Sequence, residues 1–373
     1  MRVAATTSNR YALRLLGRSI GRAILLAVAA LVLLTLLLTI TGQRTNAALA
    51  ALIDGAVGSW YAVLSVTLVR AVPLALAGLA VSLAFRAGIL NIGAEGQLLA
   101  GATAATIAST AAPQLGLLVV PFALLAGTFA GALWAGIAAF LRLKFGVLEV
   151  ISTIMLNYVA LQGVGYLVRG PLQESTHIFP QSFSISSVAQ LPVIIHGTRL
   201  HVGFLVAVIM AFAMWWWLRD RAGGFRLRAV GANARAAASA GRIDVARTTT
   251  IAFVVSGAIA GIAGASELTG VTYSLYENIS PGYGYTAIAV ALLARLHPLG
   301  VLATAVLFGA LEAGASAMQR DAGVPSALVS VVEAMLILLV LASDRWRWRG
   351  DTLSSSSTSH PDAVATNAVE SGT

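Results

Sequence analysis

Long apolar segments without charged residues recur along this chain, and they constrain its fold more than any other feature. Residues 23–40 and 115–141 contain no charged side chain. About 20 apolar residues are enough for an α-helix to cross the hydrocarbon core of a bilayer. Residues 23–40 are too long for a signal-peptide core and no small-residue cleavage site follows them, so we expect an anchored span there. Such repetition predicts an all-α, polytopic membrane helical bundle.

The composition excludes a water-soluble protein. Charged residues make up 10% of the chain and hydrophobic residues 58%, whereas a soluble domain carries about 25% charged residues. Cysteine is absent, which excludes disulfides and thiol chemistry. The net charge of +9 comes from basic residues in short loops between apolar segments. That pattern is typical of membrane orientation and argues against nucleic-acid binding.

About ten segments are predicted to cross the membrane. They are residues 23–40, 60–85, 97–112, 115–141, 147–168, 200–218, 248–270, 284–294, 299–318 and 323–342. The second and the eighth are the weakest, because Arg70 and Pro73 interrupt the second and the eighth is too short to span alone.

The basic residues also predict the orientation. With ten spans and a cytoplasmic N-terminus, nineteen of the 24 Lys and Arg residues lie on the cytoplasmic side, in line with the positive-inside rule. We therefore expect both termini in the cytoplasm (N-in/C-in). The expected parts are a basic tail (1–22), a transmembrane domain (23–342) with a cytoplasmic loop (219–247), and a disordered, Ser- and Thr-rich cytoplasmic tail (343–373).

Two polar segments interrupt the apolar pattern. In residues 85–97, three glycines accompany Asn91, Glu95 and Gln97. The glycines permit a broken helix or a tight re-entrant turn, in which the polar side chains would bond to freed backbone groups or line a hydrophilic path. The alternative is a short cytoplasmic loop with solvated polar residues. In residues 149–158, polar side chains recur at spacings of three and four, so they share a helix face that points at protein or water. That face serves either a hydrophilic path or hydrogen bonds between helices, at about 0.6 kcal/mol each.

Three carboxylates, Glu267, Glu312 and Glu333, lie inside or near the ends of predicted spans. A carboxylate inside a membrane costs about 2.5 to 3.5 kcal/mol, which makes each a functional candidate. A proton-coupled carrier would use them as a relay, and a structural role is the alternative. The sequence pairs none of them with a particular cation.

The cytoplasmic loop contains an alanine-rich stretch that predicts a short helix. Asn233 is a plausible N-cap and Gly241 a plausible stop. Such a helix suits docking into another protein, and a merely solvated loop is the alternative. Residues 256–265 space glycines three and four apart, which favours close helix packing. The chain has no phosphate-binding loop of its own, and we identify no catalytic residue and no metal site.

Five blocks, taken in order, resemble the permeases of ABC importers for simple sugars and nucleosides. Residues 85–97 resemble the family signature FRaGlfNIGaEGQ, and residues 149–158 resemble its EVIsTiMLNYVA block. Residues 231–255 are similar to its cytoplasmic coupling segment, residues 256–267 to SGAlAGlAGa.E, and residues 283–293 to GfGfdaIAVALLG. The first block resembles the nucleoside branch and, within it, the larger of two permeases. Thr286 and Ala294 depart from the usual pattern.

The resemblance implies a transport subunit with an ABC importer permease fold, which is not itself an enzyme, in the cytoplasmic membrane. It implies a second permease subunit, so that the pair forms a heterodimer. It also implies a separate ATPase with two nucleotide-binding domains, which would hold ATP and Mg²⁺, and an extracytoplasmic lipoprotein that delivers the nucleoside. This chain would bind no cofactor.

The resemblance also assigns candidate residues. An uncharged nucleoside needs hydrogen-bond partners and aromatic stacking, and the substrate-pathway candidates are Asn91, Glu95, Gln97, Ser152, Asn157, Tyr158, Tyr283 and Tyr285. The residues expected to couple to the ATPase are Gly231, Asn233, Arg235, Ala236, Ala237, Gly241 and Arg242. The outer loop 169–199 would receive the lipoprotein.

Other functions stay open from the sequence. A pentose or another simple sugar is the second substrate class, and branched-chain amino acids are the third. A proton-coupled secondary carrier is a rival that would transport without ATP. A membrane-embedded enzyme is a further rival, for which we find no catalytic constellation.

Overall fold

The computed structural model describes residues 32–325, 327, 328, 331, 334 and 335. The chain divides into two compact units, one of residues 35–333 and one of residues 1–34 and 334–373. The described part belongs almost entirely to the first unit. The predicted tails (1–22 and 343–373), the first half of the first span and most of the last therefore lie outside the described residues, whereas residues 32–40 of the first span are helical.

The first unit is built from helices that follow one another through short connections. In chain order they are α1 (Thr45–Val57), α2 (Trp60–Arg86), α3 (Ala94–Ala111), α4 (Val119–Phe145), α5 (Glu149–Val168), α6 (Gly203–Asp220), α7 (Ala222–Ala232), α8 (Ala234–Gly241), α9 (Val245–Glu267), α10 (Tyr283–Leu293) and α11 (Pro298–Asp321). A π-helical turn, Leu268–Thr272, extends α9, and a 3₁₀ turn, Pro113–Leu118, leads into α4. Residues 32–325 contain isolated bridges but no strand of a sheet.

Six helices in the described part are long and apolar enough to cross a membrane, namely α2, α4, α5, α6, α9 and α11, with their short flanking turns. They match six of the predicted spans to within a few residues at each end. Helix α10 has 11 residues, so the eighth segment is indeed too short to span alone. Helix α3 covers the third segment but starts three residues earlier, and α1 was not predicted, because 13 residues that include Asp54 fall short of a span.

The expected interruption of the second span does not occur. Arg70 and Pro73 both lie inside α2, which continues to Arg86. The Arg70 guanidinium is not left in an apolar environment, because its Nη1 lies 3.8 Å from Oε2 of Glu312 on α11. Proline is tolerated inside membrane helices when neighbouring helices surround the kink, and Pro73 is buried.

Glycines bring the central helices into backbone contact. Helix α9 packs against α2, α3 and α4. A methyl group added at Gly131 of α4 would overlap the carbonyl oxygen of Gly257 on α9, and one at Gly264 of α9 would overlap the carbonyl oxygen of Leu98 on α3. The glycine pattern of residues 256–265 therefore serves close packing, as the sequence favoured.

Gly131→Ala is expected to destabilise the folded chain by about 1 to 3 kcal/mol, because the added methyl forces α4 away from α9. Gly136 lies on the same helix, and a methyl there would meet nothing within 4 Å. Gly136→Ala is thus the matched control, and it should leave thermal stability in detergent unchanged or raise it slightly. Equal stability of the two variants would contradict the packing described for α4 and α9.

Candidate functional site

The chain breaks its helical path between α2 and α3. Residues 87–93 are non-helical, and Gly88 adopts a φ of 78° that residues with a side chain rarely take. Asn91, Glu95 and Gln97 are all buried, with 0%, 7% and 1% of their surface exposed. The broken helix is therefore confirmed, and a solvated loop is wrong.

The Asn91 amide forms hydrogen bonds that link the break between α2 and α3 to two other segments. Its Nδ2 donates to Oε1 of Gln97 at 3.0 Å and to Oγ of Ser256 at 2.9 Å. Its Oδ1 accepts from the backbone N–H of Gly93 at 2.9 Å and from Nε2 of Gln97 at 3.0 Å. Ser256 in turn donates to the carbonyl of Ala80 on α2 at 2.7 Å. With its hydrogen bonds made inside the protein, Asn91 holds α2, α3 and α9 together.

Asn157 on α5 makes a second set of bonds to the same break. Its Oδ1 accepts from the N–H of Gly96 at 2.8 Å, and its Nδ2 donates to the carbonyl of Ile92 at 2.9 Å and to the hydroxyl of Tyr285 at 3.2 Å. Ser152, Thr153 and Asn157 are all buried. The polar face predicted for residues 149–158 therefore points into the protein.

Glu95 joins the start of α3 to the start of α10. Its Oε2 accepts from the N–H of Gly284 at 2.7 Å, and a side chain at Gly284 would overlap the backbone of Glu95. Ser280 also hydrogen-bonds to Glu95, and its Oγ accepts from the N–H of Tyr283 at 3.0 Å. A carboxylate placed at the N-termini of two helices complements the partial positive charge of their free N–H groups.

Two tyrosines lie at the surface beside this buried centre. Tyr285 is 44% exposed and Tyr158 is 58% exposed, and they lie close enough to interact electrostatically. Gln162, one turn further along α5, is also exposed. The other two pathway candidates are placed differently, because Tyr283 is buried and the Ser152 hydroxyl donates to the carbonyl of Leu148, the residue before α5, at 3.2 Å.

The glutamates of the predicted proton relay are not equivalent. Glu312 has a partner that the sequence did not reveal, Arg70 of α2. Glu267 is buried, and the charges of Arg70 and Arg199 act on it. Glu333 falls outside the described residues. The two described carboxylates thus lie near compensating cations.

The loop 169–199 is held by backbone hydrogen bonds to the end of α9 and the segment that follows it. The backbone N–H groups of Ser182, Ile185 and Leu191 donate to carbonyls of residues 269–275 at 2.8 Å. Hydrogen bonds from Gln181 and Thr176 lower the pKa of the Glu174 carboxylate. The loop exposes several large apolar side chains, Ile178, Phe179, Phe183 and Val188. The loop 169–199 is thus held by backbone hydrogen bonds and presents an apolar surface.

The loop 219–247 forms two helices, α7 and α8, where the sequence predicted one. Asn233 is the N-cap of α8, and its Oδ1 accepts from the N–H of Ala236 at 3.0 Å. The predicted stop at Gly241 is wrong by one residue, because Gly241 is helical and Arg242 takes the left-handed conformation with a φ of 48°. Arg235 and Ala236 are exposed, and Ala237 is buried.

Sequence reasoning missed two serines of the buried centre. Ser280 begins a Ser-Pro-Gly stretch before an apolar helix, which is a turn and capping signal that could have found it. Ser256 carries no such signal, because its partners lie on α2 and in the break between α2 and α3.

These features define a multi-pass helical membrane protein in which a break between α2 and α3 lies in a buried polar centre. The family of permease components of branched-chain amino acid transport systems matches residues 63–341. The chain belongs to this family, and it is a protein of the plasma membrane.

Curated relatives extend the likeness over most of the chain. The guanosine ABC transporter permease protein NupP of Bacillus subtilis is 40% identical over 82% of this chain and 88% of its own length. The glucose ABC transporter permease protein TsgB13 of Haloferax volcanii is 40% identical over 75% of this chain and 76% of its own. The nucleoside ABC transporter permease protein NupB of Lactococcus lactis is 32% identical over 72% of this chain and 76% of its own. No solved structure matches the chain.

Proposed function

We propose that this chain is a transmembrane permease subunit of an ATP-driven importer of nucleosides. The observation that carries the proposal is its 40% identity to a guanosine permease over 88% of that protein. A simple sugar is the second candidate substrate, because a glucose permease is equally similar over a shorter part of the chain.

The exposed tyrosines support a pathway for a molecule with an aromatic base. Tyr158, Gln162 and Tyr285 combine ring faces with hydrogen-bonding groups on one surface beside Asn157. Polar side chains inside a membrane face protein or water rather than lipid. We propose that this surface lines the substrate pathway, while Asn91 and Gln97 position the helices around it.

The proposed assembly contains more than this chain. We propose ten spans with both termini in the cytoplasm, a second and different permease, and a separate ATPase with two nucleotide-binding domains that holds ATP and Mg²⁺. A lipoprotein would deliver the substrate to the loop 169–199, whose exposed apolar side chains suit a protein contact. Helix α8, with its exposed face, would dock on the ATPase.

Isolation of the tagged chain from its native membranes in mild detergent tests the proposal. We expect a second permease, an ATP-binding subunit and a lipoprotein to accompany it, and uptake of radiolabelled guanosine by those membranes to require ATP. A chain that comes out alone, from membranes whose uptake is ATP-independent and abolished by an uncoupler, would favour a proton-coupled carrier. Uptake competed by glucose but by no nucleoside would favour the sugar importer.

Tyr285→Ala is expected to raise the KM for guanosine about fivefold or more, because stacking of a base on an aromatic ring is worth about 1 to 3 kcal/mol. Tyr285→Phe keeps the ring and loses only the bond to Asn157, so its KM should stay within about threefold. Tyr61 is also exposed but lies at the start of α2, and Tyr61→Ala is the control. A normal KM in Tyr285→Ala would remove Tyr285 from the pathway.

A further inference from the structure

Helix α7 rests directly on the backbone where α2 ends. A methyl group at Gly231, in the last turn of α7, would overlap the carbonyl oxygen of Arg86, and the Cβ position of Gly88 lies 3.5 Å from Cα of Gly231. Asn233 follows two residues later and caps α8. A displacement of α8 therefore reaches the end of α2 through one backbone-to-backbone contact.

Arg86 also bonds to the segment that directly follows the C-terminal end of α10. Its Nε donates to the carbonyl of Leu296 at 2.7 Å, and the Ser82 hydroxyl donates to the same oxygen at 2.5 Å. Arg295 and Leu296 both take left-handed conformations, with φ values of 52° and 60°. Such a conformation is uncommon for a residue with a side chain, and it persists only where its surroundings hold it.

The N-terminal end of α10 is held by the same stretch of chain. Glu95, nine residues after Arg86, accepts from the N–H of Gly284 at 2.7 Å. The segment from Ser82 to Glu95 thus forms hydrogen bonds with the chain at both ends of the 11-residue α10. Between its ends α10 packs against α2, where the Cβ position of Gly78 lies 3.1 Å from Cγ1 of Val290, and the carbonyl of Val290 accepts from the hydroxyl of Thr304 on α11 at 2.9 Å. Because α2 and the segment that follows it hold both the ends and one side of α10, we expect α10 to move with them, and α10 carries Tyr285.

We infer, building on the proposed function, that Arg86 is a positioning residue that transmits movement of α8 on the ATPase to α10 and its Tyr285. The route runs from α8 through the Gly231–Arg86 backbone contact and the Arg86–Leu296 hydrogen bond. Helix α10 then shifts as one piece between the two ends of the Ser82–Glu95 segment. The residues of this route lie apart from the exposed surface that contacts substrate.

The complete complex, reconstituted in proteoliposomes, tests this route. Gly231→Ala and Arg86→Met should each hydrolyse ATP within about threefold of the native rate, but should carry at least tenfold fewer guanosine molecules per ATP. Arg86→Lys should recover much of that ratio, because its ammonium group can still donate to Leu296. Arg226 is exposed on α7, so Arg226→Met should keep the native ratio.

A second measurement follows the movement itself. The chain has no cysteine, so Thr286→Cys places one reactive thiol on α10, at a half-buried position next to Tyr285. We expect ATP to change its rate of maleimide labelling at least threefold, and this change to disappear when Arg86→Met is added. Native transport per ATP and native ATP-dependent labelling in both route variants would overturn the inference.

The two proposals fail in different ways. If the native complex carries neither guanosine nor glucose at the expense of ATP, the proposed substrate and function are wrong. The labelling of Thr286→Cys does not depend on the substrate, so an ATP-dependent rate that Arg86→Met abolishes would still support the route. A native complex that transports guanosine while Arg86→Met transports equally well would leave the function standing and reject the route.

Discussion

Asn91→Leu is expected to lower the stability of the folded chain by about 2 to 5 kcal/mol. The asparagine amide makes four buried hydrogen bonds, to Gly93, Ser256 and twice to Gln97, and leucine of similar size makes none. At about 0.6 kcal/mol for each bond between membrane helices, the loss alone gives the lower limit. The upper limit arises because the N–H of Gly93 and the amide of Gln97 stay buried without these bonds, at about 1 to 3 kcal/mol for each group.

The thermal midpoint of the purified protein in detergent measures this effect. Asn46 lies in the first turn of α1 and is exposed, so Asn46→Leu is the matched control and should shift the midpoint little. Ser256→Ala removes the Asn91 bond and the bond to Ala80 but keeps the Asn91–Gln97 pair, so its midpoint should fall between the two. If Asn91→Leu were as stable as Asn46→Leu, Asn91 would not hold the three helices together.

Glu95→Ala is expected to reduce transport at least tenfold, even in protein that still folds. The substitution leaves the N–H of Gly284 and the hydroxyl of Ser280 without the acceptor that Glu95 provides, and a buried donor without an acceptor costs about 1 to 3 kcal/mol. Since the N-terminal end of α10 then loses its tie to α3, Tyr285 loses its position. Glu95→Gln keeps an oxygen that can accept from Gly284, so it should retain most of the transport.

ATP-dependent guanosine uptake per recovered complex is the measurement for Glu95. Glu149 is also a glutamate in the first turn of a helix, and its partly exposed carboxylate lies 3.7 Å from Arg142. Glu149→Ala is the control, and it should change uptake less than threefold, because such an ion pair contributes about 1 kcal/mol or less. Equal uptake in Glu95→Ala and in the native chain would show that Glu95 does not position α10.

Features that depend on neighbours along the chain were predictable. Uncharged apolar segments locate the spans, since crossing a bilayer depends on local length and hydrophobicity. Asn233 caps α8 as expected, because an N-cap bonds to a backbone group only three residues away. The polar face of α5 follows from the helical repeat alone. The glycines of residues 85–97 predicted the break in the helical path.

Features that depend on distant segments were not predictable from the pattern. Ser256 stands 165 residues from Asn91, and Gly284 stands 189 residues from Glu95. From the sequence alone, Arg70 was predicted to interrupt a span. The fold places Glu312 of α11 beside it. One local feature was also predicted wrongly: the sequence predicted that Gly241 ends α8, whereas Arg242 takes the left-handed conformation that ends it.

The sequence by itself determined that this chain is a helical membrane protein, where its apolar helices run and which face of α5 carries its polar side chains. The tertiary structure decided which polar groups satisfy one another, which tyrosines stay exposed and how α10 is held at both ends. Hydrophobic length and helical periodicity are properties of consecutive residues, so one segment suffices to read them. A buried hydrogen bond needs two groups in a fixed geometry, and only the packing of α2, α3, α5, α9 and α10 brings those groups together.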